Sequence, residues 1–190
     1  MRIHLLRHGR TASIEGTLNG RTDVALMAAG RRQMEEALST RSGWTRWVSS
    51  PRQRCLSFVE EHATKANQPF CVEMGLRELD FGEWDGQTVA HLNETCPELL
   101  ALFWEDPYAF TPPGAEPMEQ FAQRIKRSVQ YWQQSFPEEE GLWVTHGGVI
   151  RYLLTEARGV PREQLLSIDV PYAHYCVIEV NDEGQWREVV

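Results

Sequence analysis

The chain of 190 residues is long enough for one well-packed domain, and it is short for two complete domains. Its content of 42% hydrophobic and 24% charged residues is typical of a globular protein and excludes a disordered chain. The formal net charge of −8 argues against general electrostatic binding of nucleic acid or of an anionic membrane, so that any anion must be bound locally.

The predicted elements alternate between strands and helices along the chain. They are, in order, strand 2–7, helix 28–40, strand 46–50, helix 52–66, strand 70–74, helices 88–94, 97–105 and 118–136, strand 142–146, helix 148–157, and a strand at 175–180 that opens a hairpin turning at 182–184. This alternation predicts an α/β protein, a single domain over 1–190 built as a three-layer α/β/α sandwich with a mainly parallel central sheet.

One long segment, residues 106–117, lacks any periodicity and is rich in proline. Long ordered loops in compact domains are often functional. We therefore expect this loop to form a wall of a site.

The cysteines give no sign of a metal site or of a disulfide framework. They show no Cys-X-X-Cys pair and no spacing typical of metal ligands, and we expect buried, reduced thiols at Cys55, Cys71, Cys96 and Cys176. The apolar run at 3–6 is too short for the core of a signal peptide, and no later run approaches a membrane span. We expect a cytoplasmic protein.

Two predicted strands end on a histidine that a glycine follows. His8 comes directly after Arg7 at the end of the first strand, and His146 ends the segment "LWVTH" before Gly147 and Gly148. Because the carboxyl ends of parallel strands meet at one edge of a sheet, where ligands of open α/β sheets bind, we expect the two histidines to face each other. Glycines and a helix amino terminus at that edge predict a phosphate-binding site.

A third strand end supplies further cations. The segment "WVSSPRQRC" leads into a helix with Arg52 and Arg54 in its first turns. Cations at that position oppose the helix dipole, so stability alone does not favour them, whereas a bound anion would explain them. Arg7 and one of these two arginines are suited to bidentate binding of a phosphoryl group.

Phosphoryl transfer requires a nucleophile and a proton donor for the leaving oxygen. A neutral imidazole is a competent nucleophile near neutral pH, so His8 or His146 could carry the phosphoryl group. Apolar rings nearby favour the protonated form that a general acid needs. The segment "LRELDFGEWDG" offers such rings, and its spacing does not choose among the carboxyls of Glu78, Asp80, Glu83 and Asp85.

Four blocks, "LLRHGRT", "SSPRQRC", "LRELDFGEWDG" and "VTHGGVIR", resemble in this order the motifs of the histidine phosphatase superfamily, also called the phosphoglycerate mutase-like family. The resemblance covers nearly the whole chain. It implies a phosphoglycerate mutase-like fold and hydrolysis of a phosphomonoester through a phosphohistidine intermediate. It implies the catalytic residues His8, Glu78 and His146, and a phosphate pocket of Arg7, Arg54, His146, Thr11 and Gly147.

Within the superfamily, the segments "FGEWDG", "WEDPYAFTPPGAEPMEQFAQRI" and "THGGVIRYLL" are most similar to the α-ribazole phosphatase group of cobalamin biosynthesis. Gly114 and Glu116 then fall on a Gly-Gly-Glu-Ser element that borders the substrate. The chain also departs from the family pattern, which bears on phosphate affinity and specificity, at Arg10, Ile14, Ala25, Met27, Ala115 and Pro117.

The residues and the resemblance together predict a phosphomonoester hydrolase that needs neither a metal nor another cofactor. The expected substrate is a small phosphomonoester, α-ribazole 5′-phosphate being the first choice, with no nucleic-acid or membrane partner. Three alternatives stay open. They are a broad-specificity phosphatase, a phosphoglycerate mutase, which typically carries longer insertions, and a non-catalytic phosphate-binding regulatory module.

Overall fold

A single mixed sheet organises the chain in the computed structural model, which describes residues 1–189. Its strands are β1 (Arg2–Arg7), β2 (Arg46–Ser49), β3 (Phe70–Val72), β4 (Glu140–Thr145), β5 (Tyr175–Val180) and β6 (Trp186–Val189). They lie in the order β3-β2-β4-β1-β5-β6. The first four strands pair in parallel, and the hairpin of β5 and β6 joins the edge of β1 antiparallel. The mainly parallel sheet is confirmed.

Six α-helices connect and flank these strands: α1 (Ala28–Leu38), α2 (Gln53–Lys65), α3 (Val89–Thr95), α4 (Pro97–Glu105), α5 (Met118–Ser135) and α6 (Gly147–Arg158). All were predicted to within two residues. Short 3₁₀ helices, which the sequence did not predict, occupy Met74–Leu76, Gly82–Trp84 and Arg162–Ser167. Within the described residues, none of the helices has the length and apolar character needed to cross a bilayer.

The third strand ends earlier than the predicted residue 74, at Val72. The carboxylate of Glu73 accepts a hydrogen bond from the backbone N–H of Gly75 and so caps a 3₁₀ turn. Side-chain capping of this kind offers the backbone an alternative to the sheet ladder. The chain therefore turns at Glu73 toward the segment that carries Glu78.

Both faces of the sheet are covered by helices. Leu5 and Trp143 pack in a core that α3, α4, α5 and α6 share, whereas Leu6 and Leu142 pack in a second core with α1 and α2. Successive residues of a strand point to opposite faces, so neighbouring positions of β1 and β4 serve different cores. The three-layer sandwich is confirmed.

The cysteines are all free thiols. Cys55 and Cys176 are buried as expected, but Cys71 and Cys96 are only partly buried. The expectation of four buried thiols was therefore wrong for Cys71, on the short edge strand β3, and for Cys96, at the junction of α3 and α4.

Candidate active site

The ends of the parallel strands bring the two motif histidines together. In the register of β1 and β4, Arg7 lies opposite Thr145, and the backbone N–H of His8 donates to the Thr145 carbonyl at 2.9 Å. His8 and His146 directly follow these two strands, and their ring centroids lie 5.3 Å apart. The sheet topology thus produces the pairing that the sequence predicted.

A cavity of about 130 Å³ opens at this edge of the sheet. That volume corresponds to about four water molecules, which suits a phosphoryl group and its immediate surroundings. The cavity is lined by Arg7, His8, Thr11, Thr17, Leu18, Asn19, Val24, Arg54, Glu78, Phe81, Gly147, Arg151 and Tyr172. Six of the predicted site residues are among them, and His146, Gly114 and Glu116 are not.

The ring of His8 is held as a neutral tautomer. Its Nδ1 lies 2.8 Å from the carbonyl oxygen of Gly9. Because a carbonyl only accepts, Nδ1 carries the proton and Nε2 keeps a free lone pair. Burial, with the charges of Arg54 and Arg7, lowers the pKa of His8 to about 3. His8 is therefore uncharged and nucleophilic at neutral pH.

The glycine after His8 serves the fold. A Cβ on Gly9 would lie 2.0 Å from the carbonyl oxygen of Gly30 in α1. The loop after β1 crosses the start of α1 at a distance that only two glycines allow. The close contact with Gly30, and not the approach of an anion, explains why residue 9 is a glycine.

His146 lies behind the cavity wall. It is fully buried, its Nδ1 accepts from Arg54 Nε at 3.2 Å, and its Nε2 lies 2.7 Å from the hydroxyl of Ser50. Nδ1 is the acceptor, so Nε2 carries the proton and donates to Ser50. Burial and the neighbouring Arg54 hold the pKa of His146 well below its usual value. In this geometry His146 positions Arg54, and it does not itself line the cavity.

Arg54 is fixed on three sides. Besides its bond to His146, it donates from Nη1 to the Thr22 carbonyl at 2.9 Å and from Nη2 to the Asn19 carbonyl at 2.7 Å. The side chain is 1% exposed and lines the cavity with its remaining N–H groups. Such an arrangement holds a cation ready without a carboxylate partner, which suits an anionic ligand.

Arg7 is held by different means. Its guanidinium carbon lies 4.4 Å from the ring centroid of Tyr172, and its Nη1 donates to the Val170 carbonyl. Its buried Nε has no hydrogen-bond partner within residues 1–189. Buried N–H groups are normally paired, so an orphaned one on a cavity wall indicates a place for a ligand oxygen.

Glu78 closes the other side of the cavity at the amino terminus of α6. Its Oε2 accepts from the Gly148 N–H at 3.0 Å, and its Oε1 accepts from the Leu79 N–H at 3.0 Å. A Cβ on Gly148 would lie 2.3 Å from Oε1. The glycine at this position therefore admits the carboxyl of Glu78, whereas the sequence suggested that it admits a ligand anion.

The structure separates Glu78 from the other acidic residues of its segment. Asp85 accepts hydrogen bonds from the backbone of 20–22 and Asp80 pairs with Arg21, while Glu83 is exposed. Burial acts to raise the pKa of Asp85, but hydrogen bonds from the Thr22 hydroxyl and the backbone outweigh it and lower that pKa. Of the four candidates, Glu78 alone lines the cavity.

Glu116 has a different place from the predicted one. Its carboxylate pairs with Arg124 at 2.7 and 2.9 Å, and both side chains are largely buried. Arg124 in turn donates to the carbonyls of Arg77 and Glu78 at 2.7 and 3.0 Å. Glu116 thus supports, through Arg124, the backbone that carries Glu78. Glu116 itself does not line the cavity.

The loop at 106–117 packs beside the site without lining it. Gly114 approaches Gly82, where a Cβ would lie 2.4 Å from the Gly114 carbonyl carbon. Tyr108 and Phe110 pack against the core. The expectation that this loop forms a wall of the site was wrong, because its apolar side chains are used for packing.

The positions that depart from the family pattern lie away from the cavity. Arg10 is exposed and pairs with Glu15 at 3.2 Å, and Ile14 is 76% exposed. Met27 and Pro117 precede α1 and α5 as N-cap residues. None of these residues is among those that line the cavity.

Seven of the thirteen cavity residues were not predicted as site residues, and Arg151 and Tyr172 are among these seven. Arg151 follows Gly147 by one helical turn, so it shares the face of α6 that reaches the cavity, and this spacing was available from the sequence. Tyr172 precedes β5 in an irregular segment, and no sequence pattern indicated that it would stack on Arg7. Together, the cavity combines a neutral imidazole, three arginines and one carboxyl.

Comparison with known proteins assigns nearly the whole chain to one family. The profile of the histidine phosphatase superfamily (branch 1) matches residues 3–190. The chain is 31% identical over 187 residues to the bifunctional protein Rv2228c of Mycobacterium tuberculosis, a match that covers 96% of this chain and 51% of that protein. It therefore spans about half the length of this relative.

Two further relatives differ in their named substrates. The adenosylcobalamin/alpha-ribazole phosphatase of Escherichia coli is 24% identical over 186 residues, with 96% of this chain and 92% of that protein covered. A structure of mycobacterial glucosyl-3-phosphoglycerate phosphatase Rv2419c with VO3 superposes with a TM-score of 0.87 at 26% identity, covering 100% of this chain and 97% of that chain.

Proposed function

The chain belongs to the histidine phosphatase superfamily, and from this membership we propose that it hydrolyses a small phosphomonoester through a phosphohistidine at His8. The observation that carries the proposal is the neutral tautomer of His8, which shares one cavity with Glu78 and with the unpaired Nε–H group of Arg7. Nucleophile, charge neutralisation and proton donor are the groups that the reaction needs.

The first step forms a bond from His8 Nε2 to phosphorus while the phosphorus–oxygen bond of the ester breaks. The leaving oxygen takes a proton from the carboxyl of Glu78 and departs as an alcohol. Arg7, Arg54 and Arg151 line the cavity and neutralise the equatorial oxygens. The reaction thereby stores the phosphoryl group on the imidazole.

The second step returns the enzyme to its starting state. Glu78, now a carboxylate, accepts a proton from water, and the oxygen of that water attacks phosphorus as the bond to Nε2 breaks. Inorganic phosphate leaves and Glu78 is again protonated. The exchange balances without a metal or another cofactor.

For the substrate we keep α-ribazole 5′-phosphate as the first candidate, supported by the sequence segments shared with that group of enzymes. The test compares kcat/KM for this ester with kcat/KM for 3-phosphoglycerate, in excess EDTA. We expect the first value to be higher and EDTA to have no effect. Comparable or reversed values would leave only the general phosphatase, and loss of activity in EDTA with recovery on adding a divalent ion would contradict the metal-free mechanism.

Two alternatives are decided by simple assays. A mutase would isomerise 3-phosphoglycerate in the presence of 2,3-bisphosphoglycerate, and we expect hydrolysis instead. A regulatory module would bind phosphate without turning over p-nitrophenyl phosphate. The presence of His8, Glu78, Arg7 and Arg54 around one cavity favours turnover.

A further inference from the structure

A second cavity of about 230 Å³ adjoins the phosphate cavity. The two share Leu18, Glu78, Phe81 and Arg151. The other walls of the second cavity are apolar and include Trp104 of α4 and Leu166 of the 3₁₀ helix at Arg162–Ser167. An apolar space thus continues directly from the place where a phosphoryl group would sit.

The position of Glu78 assigns a role to this space. If Glu78 protonates the leaving oxygen, that oxygen lies beside its carboxyl, and Glu78 borders both cavities. The carbon skeleton of the leaving alcohol then extends past Glu78. We propose that the second cavity binds an apolar, preferably aromatic, group of the leaving alcohol, an assignment that rests on the proposed phosphatase function.

The second cavity offers few polar partners to hydroxyl groups placed inside it. Its hydrogen-bonding side chains are those of Glu78, Arg151 and Trp104. Glu78 accepts from the Gly148 N–H, and Arg151 Nε donates to the Ile168 carbonyl at 2.9 Å. Sugar hydroxyls placed here would lose water without gaining enough partners, which is costly. An apolar ring incurs no such cost.

The size of the cavity fits a compact ring system. A dry apolar cavity of about 150 Å³ in another protein accommodates benzene. The volume of about 230 Å³ here admits a single ring with a short linker or a small fused pair of rings. The substrate class is therefore a phosphomonoester whose alcohol carries such a group.

The test compares two primary alkyl esters, ethyl phosphate and 2-phenylethyl phosphate, which both leave as primary alcohols. We expect kcat/KM to be roughly tenfold to a hundredfold higher for the phenylethyl ester, as burial of a phenyl group implies. Leu166→Gln and Trp104→Gln should each lower this preference by about threefold to tenfold. Leu102→Gln, at an exposed position of α4 that does not line the cavity, should retain the wild-type preference.

The outcomes separate the inference from the proposed function. Hydrolysis of both esters with equal kcat/KM, or a preference that both cavity variants leave intact, overturns the apolar subsite and keeps the phosphatase. Failure to hydrolyse either ester or p-nitrophenyl phosphate overturns the phosphatase and the subsite with it. Because Trp104 is 42% exposed, its variant is informative even where Leu166→Gln does not fold.

Discussion

At the scale of single residues, the proposed chemistry depends on two groups, the imidazole of His8 and the carboxyl of Glu78. Burial and two arginines keep His8 unprotonated, while the carboxyl of Glu78 is held at the start of α6 by two backbone N–H groups. The candidate nucleophile and the candidate acid thus line one cavity. The role of each group makes a distinct kinetic prediction.

Glu78→Gln removes the transferable proton and keeps nearly the same shape. An alkoxide leaves poorly without protonation, whereas p-nitrophenolate departs unaided. General acid catalysis contributes about 10²–10⁴-fold, and we expect a loss of that order for hydrolysis of an alkyl phosphate. The burst phase with p-nitrophenyl phosphate, which reports the first step alone, should fall much less.

A neighbouring carboxyl provides the control for this prediction. Glu83 is exposed and lies outside the cavity, so Glu83→Gln should leave both rates near those of the wild type. Equal burst-rate losses for the two substrates in Glu78→Gln would show that Glu78 is not the donor.

Sequence motifs predicted six of the thirteen residues that line the cavity, but not the roles of all the predicted site residues. Arg7, His8 and Arg54 line the cavity as predicted, because the fold brings the ends of β1 and β2 to one edge: Arg7 ends β1, His8 follows it, and Arg54 lies in the first turn of α2 after β2. The side chains of His146 and Arg54 are neighbours, and Arg54 lines the cavity while His146 lies behind it. Sequence spacing carries no information on that.

At the scale of elements, alternation of apolar strands with amphipathic helices was sufficient to predict the sheet and its layers. The periodicity of α5 is an example, since Phe121, Ile125 and Val129 are fully buried. The loop at 106–117 was misjudged because tertiary packing, which sequence does not display, decides whether an irregular segment faces a ligand or a core. Its real link to the site runs through Glu116 and Arg124.

Arg124 joins α5 to the segment that carries Glu78. Arg124→Lys keeps the charge but loses the fork that spans Glu116 and the backbone carbonyls. We expect the rate for an alkyl phosphate to fall about tenfold, with a smaller loss in the p-nitrophenyl phosphate burst, because misplacing Glu78 affects general acid catalysis. The same pair of burst and steady-state assays measures it.

Two comparisons separate positioning from mere stability. Arg127→Lys, at an exposed position of the same helix, should not change the rates. In a Glu78→Gln background, Arg124→Lys should add little further loss for the alkyl ester, since the two act through one group. A full additional loss would contradict the positioning role.

At the scale of the whole molecule, a chain with a net charge of −8 has a cavity in which three arginines lie beside the neutral His8. The unfolded chain binds a proton at a histidine below about pH 6.5. The folded chain binds one at His8 only near its pKa of about 3. Between these values the unfolded state holds more protons, so acidification favours unfolding.

We therefore expect the free energy of unfolding to depend on pH through His8. In phosphate-free buffer below about pH 6.5, the wild type should lose up to about 1.4 kcal/mol per pH unit more than His8→Asn. Urea unfolding of both proteins from pH 7.5 to 5 measures the difference. Above pH 7 the two curves should run parallel, and parallel curves over the whole range would mean that folded His8 is protonated as readily as unfolded His8.

The central claim is that His8 Nε2 carries the phosphoryl group during turnover. Rapid quench of the wild-type protein with a labelled phosphomonoester, followed by peptide mass spectrometry, tests it most directly. We predict an acid-labile, base-stable adduct on His8 that appears within the burst and is absent from His8→Ala. The same adduct in His8→Ala, or stable label on another residue of the wild type, would contradict the account.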